Sequence, residues 1–529
     1  MWRNLPHRLN VLQASFDVAR RLGPHAVMHG VIGKGPWARL WLRFRLRGGK
    51  LGGMNPPWAM RPMAGADIRP LWEANRWAEL PCLALEGRGH DIAPWTEAWM
   101  VANPPYFGPN WGCGQEAALR GLHLALACQI NGTAPPRAAM ASLARRIGAN
   151  PSYALAQDNN HPISEAAGLL VCGLSLQDAG LAARGARRLD TSIARLVAED
   201  GSFAQASPAY HRLLLDVMAV TQWLREKGPP AAPLTLRRMA AATIWLHRLA
   251  CPQTGRLPRI GHQDGSHVAD LSGAGPDDAR PSLERAARIF CNASAGSPDD
   301  PGCTAMGLAL PTARLSAAGE WRSAGFLGRR AGNGRAILRT GPLRFRPGHA
   351  DLLHLDVWAG SVNLLRDGGT GAYNPADPGW INLFQGTAAH NTIRFDGEDQ
   401  MPRLGPFLFS HWPEAGELPD GGWLRDRRGR THTREVFAEP WGFRVEDRIG
   451  GAFAQAVLRW RLAPGAWWLT PDGVAGPAAR LRVSADGPMR LRLEEAVESL
   501  AYGQASALPV LDVYLTARHS RITTEIRFD

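Results

Sequence analysis

The chain has 529 residues, 45% of them hydrophobic and 20% charged, enough apolar material for two or three packed domains and too much for a peptide-sized or disordered protein. The formal net charge is +13, but all except three of the 60 cations are arginines scattered along the sequence. No basic stripe or nucleic-acid-binding motif accompanies them, so nucleic acid is not an expected partner, whereas an acidic polysaccharide or oligosaccharide is compatible.

The first thirty residues are interrupted by Asp17, Arg20, Arg21 and His25 and show no apolar signal-peptide core; no stretch approaches a membrane span. Residues 1–64 read as a helical extension with an Arg/Gly-rich gap at 45–53. From 65 to 315 apolar residues recur at three- and four-residue spacing, predicting helices over 115–130, 136–147, 164–178, 180–199, 211–227, 234–250 and 281–290. Consecutive helices without strands imply a bundle, solenoid or toroid. The seven cysteines all precede residue 304, include no CxxC pair and are odd in number, arguing against a disulfide framework or a thiolate zinc site.

From 316 to 529 the pattern changes to alternation. Strands are expected at 336–340, 353–358, 391–395, 433–439, 443–448, 457–462, 481–483, 490–493 and 510–515. Many short strands between Gly, Pro and Asp turns indicate an antiparallel sandwich. The basic run at 425–430 reads as a solvated loop.

Three segments could carry chemistry. In Asn159-Asn160-His161-Pro162-Ile163-Ser164, Pro162 disfavours helix at His161 and Ser164 is a candidate cap, so two amides and an imidazole belong to a loop at a helix mouth. They form either a donor cluster for an anion or a capping network. In Ser207-Pro208-Ala209-Tyr210-His211, Tyr210 starts an amphipathic helix and either packs there or faces Asn160 and His161. In the β region, His349, Asp367 and His390 make a plausible zinc set with an open fourth position, although spacings of 18 and 23 residues are no local zinc motif. His354 with Asp356, Gln115, Glu116 and Asp264 are further polar candidates. Carboxylates such as Asp264 and Glu116 would suit an inverting glycoside hydrolase on a helical ring. Among the 20 tryptophans, Trp111 is the first candidate for a sugar-stacking platform. A non-catalytic glycan-binding protein also stays open.

Together, Trp111-Gly112-Cys113-Gly114-Gln115-Glu116, Asn160-His161 with Glu165-Ala166-Ala167-Gly168, Ser207-Pro208-Ala209-Tyr210-His211, and the series His349, Asp367-Gly368-Gly369-Thr370 and Ala389-His390-Asn391-Thr392 resemble the heparinase II/III family of polysaccharide lyases. The resemblance implies an incomplete (α/α) toroid at 65–315 followed by an antiparallel β-sandwich at 316–529, with substrate between them. It implies β-elimination at a uronic acid. Asn160 would neutralise the carboxylate, His161 would assist or act as base, and Tyr210 would be base, acid or both, its phenolate favoured by a cation such as His211. It further implies a divalent metal, zinc by preference, on His349, Asp367 and His390, with Trp111, Gln115, Glu116, His211 and His354 contacting substrate. Family members often carry a histidine two residues before the first metal ligand; here that residue is Pro347, and His354 or another side chain would have to substitute. The absent leader reads as cytoplasmic, the resemblance as cell envelope or periplasm, with a role in exopolysaccharide production or turnover; homodimerisation stays open.

Overall fold

The helical periodicity and the later alternation separate into two layered bodies in the computed structural model. It describes residues 67–529 except 230–233, 235, 269, 317–318, 345–346, 406 and 529. The expected N-terminal extension lies outside the described residues.

The helical body begins with short helices α1 (Arg69–Glu73), α2 (Glu79–Leu85) and α3 (Ile92–Ala102). Its wall is built from α4 (Gly114–Ile130), α5 (Arg137–Ala149), α6 (Pro151–Gln157), α7 (Asn160–Leu176), α8 (Ala179–Leu196), α9 (Pro208–Lys227) and α10 (Arg237–Leu249), and it ends with α11 (Arg280–Ala286) and α12 (Pro301–Ala305). These helices form the incomplete (α/α) toroid. Helices α4 and α7 touch so closely at Gly168 that a Cβ there would lie 2.5 Å from Cβ of Ala118. The small residues of the Ala-Ala-Gly run therefore set the spacing of the wall. Five of the seven cysteines are buried and all are free thiols.

Strand alternation yields antiparallel sheets. One layer has eight strands in the order β14 (Trp468–Thr470), β15 (Gly473–Ala475), β16 (Ala479–Ala485), β19 (Arg521–Phe528), β12 (Gly442–Gly450), β11 (Thr431–Glu439), β10 (Gly421–Arg425) and β9 (Glu414–Leu418). Opposite it lie a five-stranded sheet, β1 (Trp321–Ser323), β2 (Gly325–Ala331), β3 (Gly334–Gly341), β4 (Leu355–Ala359) and β5 (Val362–Leu365), and a four-stranded sheet in the order β17 (Arg490–Glu498), β18 (Ser506–Thr516), β13 (Gln455–Arg461) and β6 (Ile393–Phe395), joined by an antiparallel bridge from Leu365 to Leu462. The first strand, β1, spans Trp321–Ser323, and the last, β19, spans Arg521–Phe528. Leu338, Val357, Phe443, Leu458, Leu511 and Ile526 meet between the layers, each burial contributing about 1.5–3 kcal/mol. The basic run at 425–430 closes the hairpin of β10 (Gly421–Arg425) and β11 (Thr431–Glu439). Its last residue departs from the solvated reading: Arg430 is buried and ion-paired with Asp426, Asp396 and Glu398.

The two bodies share packing. Trp245 of α10 donates Nε1–H to Oγ of Ser323 at 2.7 Å and meets Phe326 edge-on at 5.4 Å. Among the described residues no helix is long and apolar enough to cross a membrane.

Candidate active site between the two domains

The start of α7 differs from the sequence expectation. Asn159, not Ser164, is the cap, its side chain accepting from His161 N–H at 3.0 Å. Pro162 sits inside the first helical turn, where a missing N–H costs no intrahelical bond, so Asn160 and His161 are helical. A bidentate pair from Arg195 to Asp158, at 2.8 and 2.7 Å, fixes the preceding turn. Asn160 donates from Nδ2 to Gln115 Oε1 at 2.6 Å. At α9, Ser207 caps Tyr210 N–H at 3.1 Å with Pro208 at the first position, and the Ser207 hydroxyl donates to the carbonyl of His262. That bond ties the Tyr210 turn to the loop carrying Asp264.

A cavity of about 280 Å³ lies where these turns face the sandwich; Gln115, Glu116, Asn160, His161, Tyr210 and His349 all line it. The Tyr210 hydroxyl is 2.8 Å from Oδ2 of Asp264 and 2.8 Å from the hydroxyl of Tyr373, which comes from the sandwich. Arg69 donates Nε–H to the same Asp264 oxygen at 2.6 Å. Because Asp264 can only accept, Tyr210 donates to it and Tyr373 donates to Tyr210. Burial and then the Asp264 charge push the Tyr210 phenol well above its usual range. Burial opposes ionisation of Asp264, but Arg69 overrides it and holds that carboxyl well below the carboxylate range. Tyr210 is thus held as a phenol whose hydroxyl donates to Asp264.

Three expected substrate contacts are displaced. Trp111 is fully buried, donating Nε1–H to the carbonyl of Asn103 at 3.0 Å beneath the Arg120 guanidinium; it is a core residue, not a sugar platform. His211 stacks on Trp245 at 4.5 Å and bonds through Nε2 to the carbonyl of Ala242 at 2.9 Å. Burial lowers it to about 3, so it is neutral and supplies no cation to Tyr210. His354 is fully buried and accepts Asn391 N–H at Nδ1, at 2.9 Å, sealed from the cavity it was expected to serve. Glu116 lines the cavity but is bound to Arg76 by two hydrogen bonds of 2.7 and 2.8 Å. Despite burial, that charge holds it below its ordinary value.

His349, Asp367 and His390 converge although they are distant in sequence. All three are buried, with candidate ligand atoms within 4.8 Å of one another. Their donors suit a metal: both ring nitrogens of His349 and Nε2 of His390 are buried without hydrogen-bond partners among the described residues, while His390 Nδ1 lies 2.7 Å from Asp367 Oδ2. Burial, reinforced by His262 and His390, keeps His349 in the neutral form that ligates. Asn391 anchors the His390 loop, donating to the carbonyl of Leu355 at 3.0 Å and accepting Arg461 N–H at 2.6 Å.

Sequence reasoning missed Arg69, Tyr373 and His262 as cavity residues. The His262 ring stands 4.9 Å from that of His349 and 5.4 Å from that of Tyr373. It fits over Gly348, where a Cβ would lie 2.6 Å from its Nδ1. The Gly261-His262-Gln263-Asp264-Gly265 turn drew attention only for its carboxylate.

Behind His161, Glu165 is buried, and burial with the neighbouring Cys113 raises its carboxyl from 4.5 to about 8. Between those values the folded protein keeps a proton that the unfolded chain has lost. Stability from this group is complete below about pH 4.5 and falls by up to about 1.4 kcal/mol per pH unit until about pH 8. Glu165→Gln is expected to flatten that slope, read as denaturation midpoints that converge between about pH 5 and about pH 8.

The family profile described as Heparinase II/III-like, C-terminal, matches residues 313–528. A solved heparinase III superposes with a TM-score of 0.66 at 15% identity, covering 90% of this chain and 80% of that one. A mutant of the heparan sulfate lyase HepC from Pedobacter heparinus gives 0.57 at 16%, covering 98% and 88%. No curated protein matches the sequence. At such identities the solved structures establish the fold alone: residues 313–528 match a heparinase II/III-like C-terminal domain, set on a toroid-plus-sandwich architecture shared with heparinase III.

Proposed function

We propose that the protein is a polysaccharide lyase that cleaves a uronate-containing polysaccharide or oligosaccharide by β-elimination. The observation that carries this reading is the neutral Tyr210 phenol, held between Asp264 and Tyr373 in a cavity also lined by Asn160 and His161. Elimination needs a neutralised carboxylate, a base for the C5 proton and an acid for the leaving oxygen. The Asn160 amide and the Arg69 guanidinium suit the first task. His161 takes the proton from C5, the C4–O4 bond breaks as C4=C5 forms, and Tyr210 gives its proton to O4. The Tyr373 hydroxyl, already donating to the Tyr210 oxygen, then stabilises the phenolate left behind. The reference pKa of tyrosine near 10, raised further here, disfavours Tyr210 as the base and leaves it protonated for the acid role.

His349, Asp367 and His390 would hold a divalent metal, zinc by its preference for imidazole and carboxylate. When bound, it supplies a fixed positive charge that cross-links the loops behind the cavity. Pro347 stands where the resemblance expects an imidazole, and His262 brings one to the same cavity from the toroid. The hydrolase alternative loses support because its carboxylates are committed: Asp264 to Arg69 and Glu116 to Arg76. Neither has the raised pKa that a general acid requires. Heparan sulfate lyase HepC, whose fold is similar, is named for a substrate of the proposed class.

The test is a panel of heparosan, hyaluronan, alginate and bacterial exopolysaccharides followed by ultraviolet absorbance. The expected result is absorbance from a 4,5-unsaturated uronate with at least one of them. New reducing ends without absorbance would indicate hydrolysis, and tight binding without either signal would indicate a glycan-binding protein.

A further inference from the structure

We propose that the segment 67–76 closes the cavity into a terminal subsite, so that the protein acts on chain ends, with Arg69 fixing the end sugar. The part of this proposal that concerns cleavage rests on the lyase reading; the part that concerns end recognition does not. Asp67, Ile68, Arg69 and Trp72 form one wall of the cavity. This wall is fastened to both domains. Asp67 accepts from the Tyr502 hydroxyl of the sandwich, and that hydroxyl accepts Tyr373 N–H at 2.8 Å. Arg69 is tied to Asp264 and to Ser266 of the toroid.

A groove that binds the interior of a polymer needs the chain to pass through. Here the strap and its latch stand against one side of a space of about 280 Å³, just below the roughly 300–1,000 Å³ typical of small-molecule pockets. Such a space takes a short saccharide end. Arg69 lines the cavity at 7% exposure, and its guanidinium is held in place by Asp264, Ser266 and Glu73. A guanidinium held rigidly in a cavity wall presents a fixed positive charge to an anionic group on the end sugar.

The experiment incubates the complete protein with heparosan, hyaluronan and alginate and resolves the products by size over time. Chain-end action releases the smallest unsaturated product from the first time point while the polymer shortens gradually. Early mid-sized fragments would overturn the proposal. Tyr502→Phe, which removes the latch and keeps every charge, should add mid-sized fragments; an unchanged product pattern would count against the strap.

A second arm needs no turnover. Calorimetry on the Tyr210→Phe protein compares oligosaccharides with the matching polymer, per mole of chain. End recognition gives the same molar affinity at all lengths, and Arg69→Gln weakens it by about 10- to 100-fold. Affinity that grows with the number of internal sugars, or no binding at any length, would overturn end recognition. Absence of unsaturated product from every glycan would reject the lyase reading alone, with calorimetry still deciding the subsite.

Discussion

Tyr210→Phe is expected to lower elimination by about 10²–10⁴-fold, the usual contribution of a positioned proton-transfer group, while glycan affinity stays close to that of the wild type. The substitution removes one oxygen and keeps the ring buried at the start of α9. Two hydrogen bonds are lost, to Asp264 and from Tyr373, each worth about 1 kcal/mol to stability. Asp264 remains compensated, because Arg69 and Ser266 N–H still donate to it, at 2.6 and 3.0 Å. A folded, binding-competent and nearly inactive protein therefore assigns the loss to chemistry. The measurement is the initial rate of unsaturated-uronate absorbance beside calorimetric binding; an undiminished rate would remove Tyr210 from the mechanism.

His390→Ala is expected to abolish stoichiometric metal binding and to lower thermal stability. It takes away one of three convergent donors and leaves the buried Asp367 carboxylate without its 2.7 Å partner. An uncompensated buried charge costs about 3–5 kcal/mol when its partner is removed. Elemental analysis of the purified protein and its melting temperature, each with and without a chelator, separate the two effects. Wild type should lose stability on chelation and the variant should not. Equal metal content in both proteins would reject the site.

Fold class was legible because it rests on periodicity. The 3.6-residue pattern before residue 300 and the alternation after residue 320 are local properties of the chain, and the helix predicted at 115–130 is α4 at Gly114–Ile130. Short edge strands such as β7 (Arg403–Gly405) and β14 (Trp468–Thr470) were not legible, since three residues carry no period. In the site, loop-to-helix junctions pointed to Asn160, His161 and Tyr210, and the strand-borne series pointed to three convergent potential ligands. The Pro162 reading failed because it let the bias of the residue before a proline decide the conformation of His161, whereas the first helical turn tolerates proline. Trp111, His211 and His354 were misjudged for one reason: residue type suggests chemistry, but burial decides whether a side chain reaches substrate. Arg69, Tyr373 and His262 carry no local motif and meet only through tertiary structure. One signal was nevertheless present. The chain has only six tyrosines, and Tyr153, Tyr210 and Tyr373 line the cavity while Tyr502 bonds to its wall.

The phenol-to-phenol contact spans the seam between the halves of the molecule. Under the proposed mechanism competence is a joint property, because the hydroxyls of Tyr210 and Tyr373 come from different halves and neither half alone makes their contact. A small sliding of one half past the other would break that contact while leaving each half intact. The seam acts as an interlock, and substitutions far from the cavity that alter how the halves seat should be read first as changes in proton delivery.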